Sequence, residues 1–260
     1  MQTNTHPWLY PAIVAHRGGG TLAPENTVAA IRHGASMGYK GVEFDVMLAR
    51  DAVPVLMHDD TVSRTTNGSG HVPELSVSEL AELDAGSWRD AAFTGEPVPS
   101  FAQAAAACIA LKVWANVEIK PHVGYEIETG RAVALATRAH WLGTREVAEK
   151  PLLSSFSIDA LRAAQAAAPE LHRGYLVGAI PPNWRAMLEE LECVALHCDH
   201  KKLNAALAAQ IKEAGYGLFC YTVNDVERGA LLRSWGVDSF CTDRLDLFAN
   251  QVGKVSGAAA

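Results

Sequence analysis

The side chains able to do chemistry in this sequence fall in short polar pairs: His16-Arg17, Glu43-x-Asp45, His58-Asp59 and Glu118-x-Lys120. Histidine alone titrates near neutrality without help, so His16 and His58 are the candidates for moving protons. Glu43 and Asp45 are two apart, as are Glu118 and Lys120, and on a strand each such pair faces the same side. Three acids converging on one point repel one another. A hard divalent cation, Mg²⁺ or Ca²⁺, resolves this, and an all-oxygen ligand set suits it better than zinc. The alternative for each acid is simple pairing with Arg17 or Lys120. Those two cations offer donors and no acceptors, as binding of a phosphate group requires. Gly18-Gly19-Gly20 lets the backbone approach a ligand closely. It lacks the G-x-G-x-x-G spacing of a dinucleotide site. Together these residues point to metal-assisted acid–base chemistry on a small phosphorylated molecule.

Short apolar runs must hold these groups in place. Strands are expected at Ala12–Ala15, Gly41–Val46, Val113–Ile119, Leu152–Ser155, Arg173–Leu176, Cys193–His197, Gly217–Tyr221 and Ser239–Cys241. Helical patterns alternate with them at Asn26–Met37, Phe101–Leu111, Glu126–Trp141, Ile158–Ala168, Pro182–Leu191, Asn204–Glu213 and Val226–Trp235. Strand–helix alternation implies βαβ units and a parallel sheet. Eight such strands in 260 residues favour an α/β fold, a single (β/α)8 TIM barrel, whose usual length is roughly 250 residues. Catalytic groups of such barrels sit at the C-terminal ends of strands, where His16, Glu43, Asp45, Glu118, Lys120, Tyr221 and Asp243 fall. One segment breaks the rhythm: about fifty residues separate strand two from the Phe101 helix, a length typical of lids and functional loops. It holds the short run Val53–Met57, then His58-Asp59, then the turn-rich stretch Thr65–Gly70. The expected organisation is one domain, 1–260, with 59–99 as an inserted excursion over the barrel mouth.

Composition narrows the partners. The formal net charge is −7, which argues against nucleic acid. No stretch approaches about 18 apolar residues, so no membrane span is expected. The N-terminus shows no basic segment followed by a long apolar one, and the small-residue tail Val255–Ala260 reads as frayed. Cys108, Cys193, Cys198, Cys220 and Cys241 are scattered and odd in number, which fits reduced, buried thiols of a cytoplasmic protein. Cys193, His197, Cys198 and His200 do not make a zinc site, because His197 and Cys198 are adjacent on a strand and face opposite ways. His197 alone is a candidate for reaching the barrel mouth.

Taken together, His16-Arg17-Gly18, Pro24-Glu25-Asn26-Thr27, Glu43-x-Asp45, His58-Asp59 and Glu118-x-Lys120 resemble the signature of the glycerophosphodiester phosphodiesterases. The likeness continues through Ser154-Ser155-Phe156, Tyr221-Thr222-Val223-Asn224, Gly236-Val237-Asp238 and Thr242-Asp243. Gly174-Tyr175-Leu176, Asn183-Trp184 and Ala195-Leu196-His197 are similar to the cytoplasmic bacterial branch. The resemblance implies that His16 and His58 form an acid/base pair, that Glu43, Asp45 and Glu118 hold Mg²⁺ or Ca²⁺, and that Arg17, Lys120 and Glu25 line the phosphate and metal pocket. Many relatives carry Trp where this chain has Tyr221, a position implied to face glycerol or the head group. The implied reaction is hydrolysis of small glycerophosphodiesters, such as glycerophosphocholine and glycerophosphoethanolamine, to sn-glycerol 3-phosphate and an alcohol. The expected protein is a monomer or homodimer with neither nucleic-acid nor membrane partner. The rivals are a barrel phosphodiesterase acting on intact phospholipids or lysophospholipids, and a binding protein that has kept the fold. No side-chain nucleophile is evident, which leaves water or the substrate's own 2-hydroxyl.

Overall fold

The computed structural model describes residues 8–141, 143 and 150–252; the tail Val255–Ala260 lies outside them. Nine strands are present among the described residues: β1 (Ile13–Ala15), β2 (Gly41–Leu48), β3 (Pro54–Leu56), β4 (Trp114–Ile119), β5 (Leu152–Ser155), β6 (Arg173–Val177), β7 (Ala195–Asp199), β8 (Gly217–Tyr221) and β9 (Ser239–Thr242). All except β3 pair in parallel, in the order β1-β9-β8-β7-β6-β5-β4-β2. A further parallel pairing of β1 with β2, Ala15 opposite Val42, closes the ring. The expected eight-stranded barrel is therefore present. Helices α1 (Val28–Ser36), α3 (Phe101–Leu111), α4 (Glu126–His140), α5 (Ile158–Ala167), α6 (Trp184–Glu190), α7 (Ala205–Glu213), α8 (Val226–Ser234) and the short α9 (Leu245–Phe248) pack around it.

Strand alternation sorts the side chains into two cores. Val42, Phe44 and Val46 of β2 face outward into the main cluster, with Ile31, Phe101, Leu161, Leu188, Ile211 and Phe248 from the helices. Inside the barrel, Tyr10, Val14, Trp114, Leu152, Phe219 and Cys241 plug the N-terminal end, and Tyr10 stacks on Trp114 with ring centroids 4.6 Å apart. This apolar plug leaves the opposite end to polar side chains. All five cysteines are free and buried, as expected. Among the described residues no helix is long and apolar enough to cross a membrane.

The connection from β2 to α3 is more ordered than its composition suggests. β3 folds back antiparallel on β2, with Val46 opposite Leu56; Pro54 opens it, where a missing N–H does no harm. Beyond it lie α2 (Val77–Ala81), entered through a capping box between Ser76 and Glu79, and short 3₁₀ turns at Val72–Glu74 and Ala91–Phe93. Val62, Val72, Leu80, Ala85 and Val98 form a third apolar cluster that borrows Met47, Ala49, Val55 and Met57 from the β2–β3 hairpin. Glu96 accepts a 2.8 Å hydrogen bond from the Ala29 N–H in the first turn of α1. The segment is thus packed on the barrel by its own side chains.

Several expected boundaries move by one or two residues. β7 spans Ala195–Asp199, two residues later than expected, because Cys193 still belongs to the turn after α6, where its N–H bonds the Leu188 carbonyl. Asn26 and Thr27 precede α1: Thr27 caps the helix and Asn26 takes a positive φ of 57°.

α4 and α5 touch where Gly130 faces the backbone of Ala160; a Cβ on Gly130 would overlap the Ala160 carbonyl oxygen. In an open helix Gly→Ala gains up to about 1 kcal/mol. Here overpacking should reverse the sign, and Gly130→Ala should cost about 1–3 kcal/mol. A thermal melt checks this: Tm should fall, and a raised Tm would show the two helices have room to part.

Candidate active site

The site is built from the loop after β1 inward. His16 leaves β1 with its N–H on the Thr242 carbonyl. The chain then turns sharply, with positive φ at Arg17 (50°) and Gly18 (87°). Left-handed backbone at a non-glycine residue costs energy and persists only where the surroundings impose it. At Arg17 the return is direct, because its N–H donates to Glu43 Oε2 at 3.0 Å.

Glu43 and Asp45 share the inner face of β2, and the β2–β4 register sets Asp45 beside Glu118. One ligand oxygen from each of Glu43, Asp45 and Glu118 lies within 4.8 Å of the others. Burial, then the Asp45 charge, raises the pKa of Glu43, and burial with the charges of Asp45 and Glu43 raises that of Glu118 well above the carboxylate range. Burial would raise Asp45 too, but Lys120 and Arg17 outweigh it and Asp45 stays below its ordinary value. Lys120 Nζ stands 3.4 Å from Asp45 and 4.0 Å from Glu118, and Arg17 Nε 3.6 Å from Asp45. Asn26 holds Asp45 twice, its Nδ2 donating to Oδ2 at 2.8 Å and its Oδ1 accepting from the Asp45 N–H at 3.0 Å. Two cations face three acids, and Glu118 Oε1 is buried without a hydrogen-bond partner. A hard divalent cation fits this all-oxygen set, and the three side chains could hold one.

Two histidine–aspartate pairs flank the trio. His16 Nδ1–H donates to Asp243 Oδ1 at 2.5 Å, and its Nε2 lies 3.7 Å from Glu43. His58 Nδ1–H donates to Asp59 Oδ1, also at 2.5 Å. Each imidazole therefore has its tautomer fixed by a carboxylate, which makes Nε2 the nitrogen able to accept a proton. Burial would lower the His16 pKa, but the Asp243 hydrogen bond and the Glu43 charge prevail and raise it. At His58 burial prevails over the Asp45 charge, and the pKa is lowered.

All the residues singled out from sequence come together at this end of the barrel except His197. Glu25 accepts from Arg17 NH1 at 2.7 Å. Tyr221 donates its hydroxyl to the Val177 carbonyl at 2.8 Å and meets Phe156 edge-on at 5.8 Å. His197 lies fully buried inside the barrel, stacked on Phe219 at 4.6 Å, and neither ring nitrogen has a hydrogen-bond partner. It faces Gly174, where a Cβ would overlap its Nε2, and burial lowers its pKa to about 3. Among the described residues no cysteine–histidine metal cluster forms. Sequence reasoning assigned no part to Asp59, Asp243, Asn224, Asn26 or Arg64. Asn224 accepts from the Asp243 N–H at 2.8 Å and donates to its Oδ2 at 2.9 Å, clamping the partner of His16. The His58-Asp59 and Thr242-Asp243 adjacencies and the motifs Pro24-Glu25-Asn26-Thr27 and Tyr221-Thr222-Val223-Asn224 hold four of them without stating a role, and Arg64 lies outside every motif.

The fold and site together define a parallel barrel with a buried acidic trio and two histidine–aspartate pairs at its C-terminal mouth. The sequence model of the Glycerophosphoryl diester phosphodiesterase family matches residues 16–247. A solved structure of an Oleispira antarctica phosphodiesterase, in complex with the product sn-glycerol-3-phosphate, superposes with a TM-score of 0.87 at 37% identity, covering 92% of this chain and 96% of that one. YhdW of Bacillus subtilis (strain 168) is 33% identical over 243 residues, covering 90% of this chain and 95% of the relative. A glycerophosphodiester phosphodiesterase of Caldanaerobacter subterraneus subsp. tengcongensis is 32% identical over 244 residues, covering 93% and 98%. The chain belongs to the glycerophosphodiester phosphodiesterase family and is a phosphoric diester hydrolase of that kind.

The double hydrogen bond from Asn26 orients Asp45, so Asn26→Ala should weaken divalent-cation binding. Loss of such an outer partner costs about 10–100-fold in metal affinity. Calorimetric titration with Mg²⁺ or Ca²⁺ measures it; unchanged affinity would mean Asp45 is held without Asn26.

Proposed function

We propose that the enzyme hydrolyses glycerophosphodiesters, such as glycerophosphocholine and glycerophosphoethanolamine, to sn-glycerol 3-phosphate and the free alcohol. One Mg²⁺ or Ca²⁺ on Glu43, Asp45 and Glu118 would assist, with His16 and His58 as the acid/base pair. The observation that carries this is the pairing of two aspartate-oriented imidazoles around one buried acidic trio. The product named in the Oleispira structure supports the glycerol 3-phosphate half. When bound, the cation would polarise the phosphoryl oxygens and offset their charge. Arg17 and Lys120 supply further positive charge at the same mouth, with Glu25 holding Arg17 in place. Tyr221 and Phe156 form an apolar wall for the glycerol or the head group. The segment 59–99, inserted within one domain spanning the chain, partly covers the mouth. The protein then works in the cytoplasm, as a monomer or homodimer, on small diesters alone.

The nucleophile is drawn from water or substrate, because nearby hydroxyls and thiols are engaged or sealed off. Ser155 donates to the Ile119 carbonyl at 2.6 Å, Ser154 is fully buried, and burial raises the Cys241 thiol well above its ordinary range. The glycerol 2-hydroxyl lies next to phosphorus within the same bound molecule, where effective molarities reach about 10⁵ M or more. One histidine takes the hydroxyl proton as the new P–O bond forms. The other gives a proton to the departing alcohol oxygen as the old P–O bond breaks. Water then opens the resulting 1,2-cyclic phosphate with the roles reversed.

A second reading, cleavage of lysophospholipids, draws on exposed apolar side chains near the mouth: Val123, Tyr125, Ile127 and Phe156. The net charge of −7 and the lack of a basic run oppose attachment to an anionic membrane.

Release of glycerol 3-phosphate from glycerophosphocholine, compared with lysophospholipid cleavage, tests the substrate class directly. EDTA should abolish that release and Mg²⁺ or Ca²⁺ should restore it; full activity in excess chelator would remove the cation from the account. His16→Ala and His58→Ala should each lose about 10²–10⁴ in kcat with circular dichroism unchanged. Either variant within a few-fold of wild type would make that histidine structural. A substrate analogue lacking the 2-hydroxyl should bind but turn over at least about a hundredfold more slowly, one catalytic group's worth. Normal turnover of it would leave direct attack by water.

A further inference from the structure

His16 and His58 reach the site from different kinds of backbone. His16 follows a barrel strand, and its partner Asp243 is clamped by Asn224. His58 follows β3, outside the parallel ring, and Asp59 beside it belongs to the inserted segment. Something must fix that segment against the barrel to the tolerance proton transfer demands.

Arg64 spans the gap. Its Nε donates to Asp59 Oδ2 at 2.5 Å and its NH2 to Asp59 Oδ1 at 3.1 Å. The same guanidinium grips Glu25, NH1 to Oε2 and NH2 to Oε1, both at 2.8 Å. Glu25 in turn holds Arg17. A guanidinium has five N–H donors, and four are committed to these two carboxylates. Arg64 thus has little left to offer a phosphate. The turn around it is tied as well: Thr66 donates its hydroxyl to the Val62 carbonyl at 2.7 Å and accepts from the Gly68 N–H at 3.0 Å.

We infer that Arg64 is a positioning residue: its guanidinium locks Asp59 to Glu25 and so fixes the His58 imidazole relative to Arg17 and the acidic trio. Isolated surface ion pairs contribute little, and the Arg64 side chain is 44% exposed. This one differs in geometry, being a fork to two carboxylates, of which Glu25 is only 14% exposed. A lysine offers a point charge and no fork, and cannot reproduce it. The hydrogen bonds from Arg64 hold the Asp59 carboxyl well below its ordinary range, so it stays an acceptor for His58 Nδ1–H.

The inference rests on His58 being a proton-transfer group, and a double-mutant cycle separates the two claims. Arg64→Ala should lower kcat by about tenfold to a hundredfold, the scale of lost hydrogen bonds to charged groups. KM and the calorimetric affinity for Mg²⁺ should hold steady, because Arg64 touches none of the trio. Arg64→Lys should recover only part of the loss, while added guanidinium should restore Arg64→Ala. In a His58→Gln background Arg64→Ala should cost nothing more, and guanidinium should rescue nothing. Melting curves on each variant show that it is folded, and guanidinium rescue itself requires a folded site. A crippled His58→Gln beside a normal Arg64→Ala overturns this inference alone, as does full additivity in the double variant. A His58→Gln enzyme with near wild-type activity overturns the role of His58 and this inference with it.

Discussion

Three carboxylates forced together inside a barrel set the terms for everything around them. The parallel register of β2 and β4 leaves Glu43, Asp45 and Glu118 no other direction to point. Two unit charges 4.8 Å apart repel by about 3 kcal/mol even at an effective dielectric near 20. Lys120 and Arg17 stand close to Asp45, at 3.4–3.6 Å, but two cations face three acids, and Glu118 Oε1 is left buried without a hydrogen-bond partner. The neighbouring backbone answers the same field: the Arg17 N–H is turned onto Glu43 and the Asn26 amide is wrapped around Asp45, both at positive φ. Local strain and local charge have one cause here, and a shared cation is the partner that this arrangement still calls for.

The two histidines are arranged around that centre by unequal means. One imidazole belongs to the rigid ring of strands. The other belongs to a segment with its own small core, anchored by Met47, Val55 and Met57 below and by the Glu96 cap on α1 at its side. Oriented carboxylates hold both rings through Nδ1, so each ring keeps the same nitrogen, Nε2, away from its partner. Matching dyads on unlike supports place the two histidines in surroundings that shift them in opposite directions.

Much of this was legible from the chain because it rests on short periods. Glu43-x-Asp45 and Glu118-x-Lys120 announced shared faces through the two-residue repeat of a strand, and the eight apolar runs announced the parallel ring. What stayed hidden depends on pairings remote in sequence or on cap chemistry. The Asp243 grip on His16 joins residues 227 positions apart, and no local pattern encodes it. Arg64 sits in a turn-rich stretch where its two carboxylate partners, five and thirty-nine residues away, leave no periodic trace. β3 was read only as a short apolar run, because nothing in Val53–Met57 states the antiparallel direction. α2 was missed because five residues are too few to show a helical period, although its capping box was written in Ser76 and Glu79. His197 is only a candidate for the mouth from sequence, because a strand position gives the face but not the depth, and the depth is set by Gly174 and Phe219.

The central claim is that the buried trio is one cation site. A crystal structure of the enzyme grown with Mn²⁺ in place of Mg²⁺, with anomalous data collected at the manganese edge, tests it most directly. The account predicts one strong peak per chain, about 2.0–2.6 Å from oxygens of Glu43, Asp45 and Glu118, with Asn26 still bonded to Asp45. Density without a peak at that point, and the three acids closed onto Lys120 and Arg17 alone, would contradict it.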